Sequence, residues 1–318
     1  MRTIAVASML ALATYGASAQ QTYPTKPIRL IVPFPPGGQT DIVARLLAPK
    51  LSDTFKQSIV IDNRAGSGGA IGTETVVRAN PDGYTILLVA AGYATNAALY
   101  KLPYDAVLDV APIALVGESG FAIVSHPSVP IANTKELIAY DKASPGKLNY
   151  GTGGTGTSTH FAAELFNQMA GTKMTHVPYK GAGPALIDVL GGQIQLNFGA
   201  LPTMTAQIKN NRLRGIAVTT AKRSNALPDV TAAAETIPRY EAVGWVAVLG
   251  PKALPKEIVA RWNSELNRAL QMVDVKDRMA SDGIDPVGGS PEHFREVLKR
   301  DVMKWQRVVK VAGIKAGG

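Results

Sequence analysis

The sequence predicts an α/β fold of two lobes, because strand-like and helix-like segments alternate along the chain and the alternation begins again after about residue 120. Alternating βαβα order is typical of a largely parallel sheet with helices on both faces, and ligands of such sheets bind at the carboxyl ends of the strands. The first series consists of Ile28 to Val32, Thr40 to Phe55, Ser58 to Ile61, Gly72 to Ala79 and Tyr84 to Ala90.

A second series and a set of C-terminal helices complete this pattern. The second series consists of Phe121 to Ser125, Thr134 to Ala143, Leu148 to Tyr150, Ser158 to Ala170, Lys173 to Val177, Ala182 to Leu190 and Ile194 to Phe198. Three amphipathic segments follow, Lys256 to Met272, Val275 to Ser281 and Pro291 to Val311, and we expect them to cover the first sheet. The chain then crosses twice between the lobes, so that residues 20–122 and 246–318 form the first lobe and residues 123–245 the second.

The first 19 residues have the pattern of an export signal. Arg2 provides a positive charge, Ile4 to Thr14 a short apolar run, and Ala17-Ser18-Ala19 a cleavage site of the A-x-A type. The apolar run is shorter than the roughly 20 residues that span a bilayer. We therefore expect cleavage near Ala19 and a soluble mature protein in the periplasm.

The composition excludes several classes of function. The 318 residues include no cysteine, which excludes a disulfide scaffold, a thiolate metal site and a cysteine nucleophile. The formal net charge is +9, but the basic residues are scattered and residues 181–208 contain neither Lys nor Arg, which disfavours nucleic-acid binding. A general positive charge raises the rate of encounter with anionic solutes. We expect a monomer that binds no nucleic acid.

Two similar strand-to-helix junctions are the most informative motif. After the first strand the chain reads Pro33-Phe34-Pro35-Pro36-Gly37-Gly38-Gln39-Thr40-Asp41, and after Asn149-Tyr150 it reads Gly151-Thr152-Gly153-Gly154-Thr155-Gly156-Thr157-Ser158-Thr159-His160. Glycines allow backbone N–H groups to approach a ligand, and a helix begins with unpaired N–H groups and a positive dipole end. Each junction is a candidate anion site, and two that face each other across a cleft would hold a carboxylate from both sides.

The same residues also have purely structural interpretations. Thr40 and Thr157 or Ser158 are typical helix N-caps, and the glycines suit tight turns. A carboxylate such as Asp41 is favoured in a first helical turn by the helix dipole. His160 either contacts a ligand or packs against its neighbours.

Aromatic residues of the strand-end loops have two interpretations as well. Phe34, Tyr93 and Tyr179 either form walls of the cleft or belong to the core.

Nucleotide, metal and catalytic sites are disfavoured. Gly151, Gly153 and Gly156 match G-x-G-x-x-G, but the next strand, Lys173 to Val177, ends without the acidic residue that a dinucleotide site requires. No G-x-S-x-G elbow occurs, and the four histidines lack the H-x-x-x-H spacing of a metal site. We expect no cofactor, no metal and no enzymatic activity, with a hydrolase that uses Ser158 and His160 as the weaker alternative.

Several short motifs together closely resemble the Bug-type substrate-binding proteins of tripartite tricarboxylate transporters. They are Tyr23-Pro24-Thr25-Lys26-Pro27-Ile28, Val32 to Gly38 with Asp41, Asn63-Arg64-Ala65-Gly66 with Gly68-Gly69 and Gly72, Pro81-Asp82-Gly83-Tyr84, Gly151 to His160 and Val177-Pro178-Tyr179-Lys180-Gly181. The resemblance implies a type II periplasmic-binding-protein fold, with two α/β lobes around a central cleft. It also implies that the two glycine loops grip a ligand carboxylate, and that residues around Ala91 to Tyr93 and Phe198 to Leu201 select the rest of the ligand. Pro49 inside the first helix is less typical and allows a kink there.

The function expected from these observations is the capture of a small mono- or dicarboxylate for a membrane permease. The alternative is a ligand-sensing protein that presents its closed form to a membrane receptor. The candidate ligand-binding residues are Phe34, Pro36, Gly38, Gln39, Thr40, Asp41, Ala91, Tyr93, Gly154, Thr155, Thr157, Ser158, His160, Tyr179 and Ala200.

Overall fold

The computed structural model describes residues 23–312, so the predicted export signal lies outside the described residues. The strands are Ile28–Val32 (β1), Ile59–Asn63 (β2), Thr85–Ala90 (β3), Val110–Ser125 (β4), Asn149–Thr152 (β5), Thr175–Pro178 (β6), Leu196–Ala200 (β7), Arg214–Val218 (β8), Val243–Pro251 (β9) and Ile284–Pro286 (β10). The helices are Gln39–Phe55 (α1), Ala70–Val77 (α2), Gly92–Leu99 (α3), Thr134–Ala143 (α4), Ser158–Ala170 (α5), Ala182–Leu190 (α6), Leu201–Lys209 (α7), Lys256–Gln271 (α8), Val273–Ser281 (α9) and Pro291–Ala312 (α10).

The strands form one continuous curved path in the order β2-β1-β3-β9-β4-β7-β5-β6, with β8 and β10 also paired to β4. The pairs that β1 makes with β2 and β3 are parallel, as are those that β5 makes with β6 and β7. Both central strands, β4 and β9, pair antiparallel with all their neighbours. The sheet is therefore mixed, and not largely parallel as the alternation of elements predicts, because β4 and β9 run back through its centre.

Strand β4 connects two groups of strands. Its residues Val110 to Gly120 pair with β9, whereas Phe121 to Ser125 pair with β7 and β8. We call the group β1, β2, β3, β9, β10 and the first part of β4, with its helices, the first lobe. The group β5 to β8 and the last part of β4, with its helices, is the second lobe. The change of partners at residues 120 and 121 lies close to the predicted division at residue 122, which stays a prediction.

Helices cover both faces of each group of strands. In the first lobe, α1, α8 and α9 pack on one face around Trp262, and α10 packs on the other through Phe294 and Leu298. In the second lobe, α4 and α5 pack around Phe166, and α6 and α7 cover the opposite face. This α/β/α layering leaves the ends of the strands, rather than their faces, for a binding site.

The two ends of helix α1 agree with its local sequence. Helix α1 begins after Gly38 and ends at Lys56, which is left-handed with φ of 55°. It continues through Pro49, so the proline does not end the helix. Among residues 23–312, no helix is both long and apolar enough to cross a membrane.

Candidate functional site

A cavity lies between the two lobes, at the carboxyl ends of β1, β3, β5, β6 and β7. The residues that line it are Phe34, Pro35, Gly38, Gln39, Thr40, Ala90, Gly92, Phe121, Gly153, Thr157, Ser158, Thr159, Gly181, Ala182, Ala185, Asn197, Phe198, Gly199 and Ala200. Its volume is about 80 Å³. One buried water needs roughly 10 to 15 Å³ on the same measure, so a small organic molecule fits.

Five helices begin at this cavity. Residues of the first turn or the N-cap line it in each case, namely Gly38 for α1, Gly92 for α3, Thr157 for α5, Gly181 for α6 and Ala200 for α7. The first N–H groups of a helix have no acceptor within the helix, and the N-terminus carries roughly half a positive charge. The cavity therefore has a positive potential that comes from the backbone.

The side chains around the cavity are uncharged. No Asp, Glu, Lys, Arg or His is present among its lining residues in the described part of the chain. Phe34, Phe121 and Phe198 supply apolar walls. The arrangement suits an anion with an apolar body, because backbone N–H groups can donate hydrogen bonds to the charged group and the aromatic rings can pack against the apolar part.

The loop that precedes α1 is held in place by Asp41. Its carboxylate accepts hydrogen bonds from the backbone N–H of Gly37 at 3.0 Å, from Arg45 at 2.9 and 3.1 Å, and from Asn63 at 3.1 Å. Burial alone would raise the pKa of Asp41, but these hydrogen bonds outweigh it, and the pKa lies below its ordinary value. Asp41 does not line the cavity, so the structure gives it the role of a brace for the loop.

The loop that precedes α5 is braced by Thr157. Its hydroxyl donates to the carbonyl of Gly154 at 2.7 Å and accepts from the N–H of His160 at 3.4 Å, so Thr157 is the N-cap of α5. Gly154 has φ of +126°, and a Cβ there would lie 2.7 Å from the carbonyl oxygen of Tyr179. Only glycine allows this approach of the loop to the strand that ends at Pro178. Thr40, by contrast, lies inside α1, whose N-cap is Gly38.

His160 lies behind this loop in a stack of aromatic rings. Its ring is 4.1 Å from the ring of His176, which lies 5.1 Å from the ring of Tyr150. Burial lowers the pKa of His160, and burial together with the neighbouring imidazole lowers the pKa of His176 to about 3. Both histidines are therefore neutral at pH 7, and neither lines the cavity.

The predicted ligand-binding residues fall into two groups. Those that line the cavity are Phe34, Gly38, Gln39, Thr40, Thr157, Ser158 and Ala200. Those that do not are Pro36, Asp41, Ala91, Tyr93, Gly154, Thr155, His160 and Tyr179. Among the latter, Gly154, Thr155 and Tyr179 line a second, adjoining cavity, and the hydroxyl of buried Tyr93 donates to the carbonyl of Ala106 at 2.7 Å. Ligand contact by each of these residues stays a prediction.

Other lining residues are missing from the sequence-based set. They are Pro35, Ala90, Gly92, Phe121, Gly153, Thr159, Gly181, Ala182, Ala185, Asn197, Phe198 and Gly199. Phe198 and Gly199 lie in the segment Phe198 to Leu201 that the family resemblance had indicated. Asn197 had one local signal, because it is a polar residue between Leu196 and Phe198 in a buried strand.

The lobes contact each other around the cavity. The hydroxyl of Thr95 in α3 donates to the carbonyl of Gly156, and the hydroxyl of Tyr100 to that of Thr155 at 3.4 Å. Across the cleft, a Cβ on Gly181 would lie 2.8 Å from Cγ of Pro35. The two lobes therefore contact each other beside the cavity through these residues.

Comparisons with known proteins agree with this geometry. A family model described as "Tripartite tricarboxylate transporter family receptor" matches residues 43–314. Protein BugT of Bordetella pertussis is 36% identical over 311 residues, which cover 96% of this chain and 95% of BugT. Among solved structures, Rpa4515 of R. palustris with adipate has a TM-score of 0.89 at 35% identity, covering 92% of this chain and 99% of its own. MatC of Rhodopseudomonas palustris with bound malate has a TM-score of 0.85 at 28% identity, covering 90% of this chain and 100% of its own.

The similar structures are periplasmic binding proteins of two lobes, and the family consists of substrate-binding receptors rather than enzymes. Because the family model matches most of the chain and the relatives align over almost all of it, this protein belongs to the tripartite tricarboxylate transporter receptor family as a periplasmic solute-binding protein.

Proposed function

We propose that this protein captures a small mono- or dicarboxylate in the periplasm and delivers it to the membrane permease of a tripartite tricarboxylate-type transporter. The observation that carries the proposal is the meeting of five helix N-termini at a cavity with no charged lining side chain in the described part of the chain. Anions are bound at helix N-termini because unpaired N–H groups and the helix dipole both favour negative charge. A neutral sugar or a cation would not use this potential.

Two relatives support a carboxylate. Rpa4515 was solved with adipate and MatC with malate, and each of these ligands is a carboxylate. The description of the family as a transporter receptor supports delivery to a permease.

Closure of the lobes explains how such a site takes up and releases its ligand. The hydrogen bond between Thr95 and Gly156 and the contact between Pro35 and Gly181 join opposite lobes, so they form only when the cleft is closed. A ligand that contacts α1 and α5 together favours this state, because each lobe supplies part of the site.

A calorimetric titration with paired ligands tests the proposal. The panel contains small aliphatic and aromatic mono- and dicarboxylates and the primary amide of each acid. Charge-assisted hydrogen bonds are worth about 1.5 to 3 kcal/mol each, so converting the acid to its amide should weaken binding by about tenfold or more. Small-angle scattering with the bound acid should show a smaller radius of gyration. Equal binding of acid and amide, or binding by no carboxylate in the panel, would contradict the proposal.

A further inference from the structure

A second, larger cavity adjoins the one between the lobes. Its volume is about 850 Å³, and it is lined by residues 33–35, 65–70, 100–103, 153–155 and 178–181. We call it the outer cavity, and the one described above the inner cavity. Several of its lining residues are exposed, among them Ala65, Ser67 and Pro103, so the outer cavity is open to solvent.

The two cavities share part of their walls. Phe34, Pro35, Gly153 and Gly181 line both of them. Pro35 and Gly181 belong to opposite lobes, and a Cβ on Gly181 would lie 2.8 Å from Cγ of Pro35. The path from the outer to the inner cavity therefore leads between Pro35 and Gly181, which separate when the lobes move apart.

The charged side chains that line the outer cavity are two lysines and no carboxylate. Lys101 follows α3 in the first lobe, and Lys180 follows β6 in the second. Both are exposed, and neither forms an ion pair with another described residue. Asp188, which accepts a hydrogen bond from the hydroxyl of Tyr179 at 2.6 Å, is not a lining residue. The outer cavity therefore carries a positive charge from side chains, whereas no charged side chain is among the residues that line the inner cavity.

The two kinds of positive charge act over different distances. The effect of a helix N-terminus falls off within about one turn, so the helix starts act on an anion that is already in the inner cavity. Exposed lysines attract an anion from farther away, and salt screens this attraction. Because neither lysine lines the inner cavity, their charge should change the rate of arrival more than the strength of binding.

We propose that the outer cavity is the entrance to the site, where Lys101 and Lys180 attract small anionic solutes and raise the rate at which they reach the inner cavity. The inference rests on the proposed function for the identity of the anion, a carboxylate. It adds a site of first encounter that lies outside the inner cavity and is formed by both lobes.

The chain contains no cysteine, so one introduced thiol can measure the local potential without any bound acid. Ser67→Cys places the thiol in the outer cavity, after β2. Ser58→Cys is the matched control, because Ser58 is also exposed but lies directly before β2, at the opposite end of the same strand. Each variant reacts with the dianion 5,5′-dithiobis(2-nitrobenzoate) and with neutral 4,4′-dithiodipyridine. The ratio of the two rates cancels the reactivity of the thiol itself, since both reagents react with the same thiolate.

We expect the rate ratio of dianion to neutral reagent to be at least about threefold higher for Ser67→Cys than for Ser58→Cys at low ionic strength. Adding Lys101→Gln and Lys180→Gln to Ser67→Cys should remove this difference. Lys135→Gln, the same charge change at an exposed position of α4 that lines neither cavity, should preserve it. Salt should remove the difference too, because the Debye length falls from about 30 Å at 0.01 M to about 3 Å at 1 M. Equal ratios for the two thiols, or a ratio that the double lysine substitution leaves unchanged, would overturn the inference.

Stopped-flow mixing with the tightest-binding acid of the panel tests the consequence for uptake. Lys101→Gln with Lys180→Gln should lower the association rate constant about threefold or more at low ionic strength and leave the dissociation rate constant unchanged. Thermal melts establish that the variants fold. A change confined to the dissociation rate would mean that the lysines contact the bound acid, and it would refute their role at the entrance. If no acid of the panel binds, the proposed function fails, whereas the thiol rates still decide whether the outer cavity attracts anions.

Discussion

Replacing Thr95 by Val should weaken ligand binding without weakening the fold of either lobe. Thr95 is fully buried, and its hydroxyl donates to the carbonyl of Gly156 in the opposite lobe. Valine has nearly the same shape, so the substitution removes the hydroxyl and leaves the packing. The hydroxyl also lies 3.0 Å from the carbonyl of Gly92 in its own helix. In an open form it can donate to that carbonyl while water satisfies Gly156, so the loss of the bond between the lobes falls on the closed state.

The magnitude follows from the value of one neutral hydrogen bond. Such a bond contributes about 0.5 to 1.5 kcal/mol, and the carbonyl of Gly156 loses its partner in a buried position, which places the effect at the upper part of that range. A loss of about 1 to 1.4 kcal/mol from the closed state raises the apparent Kd by about 5- to 10-fold, since a ligand that requires the closed state must offset the difference.

Thr205→Val provides a control of the same chemistry. The hydroxyl of Thr205 is buried and donates at 2.8 Å to the carbonyl of Leu201 within α7, inside the second lobe. Its loss should lower the midpoint of urea unfolding and leave the Kd unchanged. Calorimetry with the tightest acid of the panel gives the Kd of each variant. An unchanged Kd for Thr95→Val, or equal effects of the two substitutions on the Kd, would refute the reasoning.

Three further outcomes are expected. Gly154→Val should weaken binding far more than Ser158→Ala, because a Cβ at Gly154 would lie 2.7 Å from a backbone oxygen, whereas the serine substitution keeps the amide donors. Calorimetry of both folded variants measures the two affinities. A larger loss for Ser158→Ala would indicate a site made of side chains. Gly181→Ala should keep the radius of gyration in saturating acid at the value of the ligand-free protein, because the new methyl group would lie 2.8 Å from Cγ of Pro35. Contraction as in the wild type would show that this contact does not limit closure. Stability should fall as the pH is lowered from about 6.5, because the unfolded chain protonates His176 there while the folded protein, with its pKa of about 3, does not. In urea unfolding between pH 6.5 and 4, His176→Gln should make this pH dependence less steep, and an unchanged slope would exclude the histidine as its source.

Local patterns predicted much of this fold. The amphipathic segment Lys256 to Met272 corresponds to α8, Lys256–Gln271, and the segment Pro291 to Val311 corresponds to α10, Pro291–Ala312. Their apolar residues recur at helical spacing over many turns, which is the strongest signal that a single sequence carries. The strand-to-helix junctions before α1 and α5 were found for a similar reason, since glycines and a helix start are neighbours in the chain.

Strand β4 shows where local patterns fail. Only Phe121 to Ser125 was predicted as a strand, whereas the strand begins at Val110. Its pairing with β9 shifts register between Pro112 and Ala114 and between Leu115 and Gly117, so irregularities interrupt it where the sequence contains proline and glycine. The first part of β4 therefore contains residues that resemble a turn when they are considered alone.

Residues of the binding site also differ in whether local sequence patterns reveal them. The proposed grip on a carboxylate uses backbone N–H groups at helix starts, which glycines and capping residues reveal locally, and it leaves the identity of the acid open. Asn197, by contrast, lines the cavity from β7, and hypothetical Cβ atoms on Gly151 and Gly199 would lie within 3.3 Å of its amide. Gly151 is 46 positions away in the chain and becomes its neighbour only through the pairing of β5 with β7. For this reason a class of ligand can be proposed from the sequence, but residues that meet in the cavity through strand pairing require the register of the sheet.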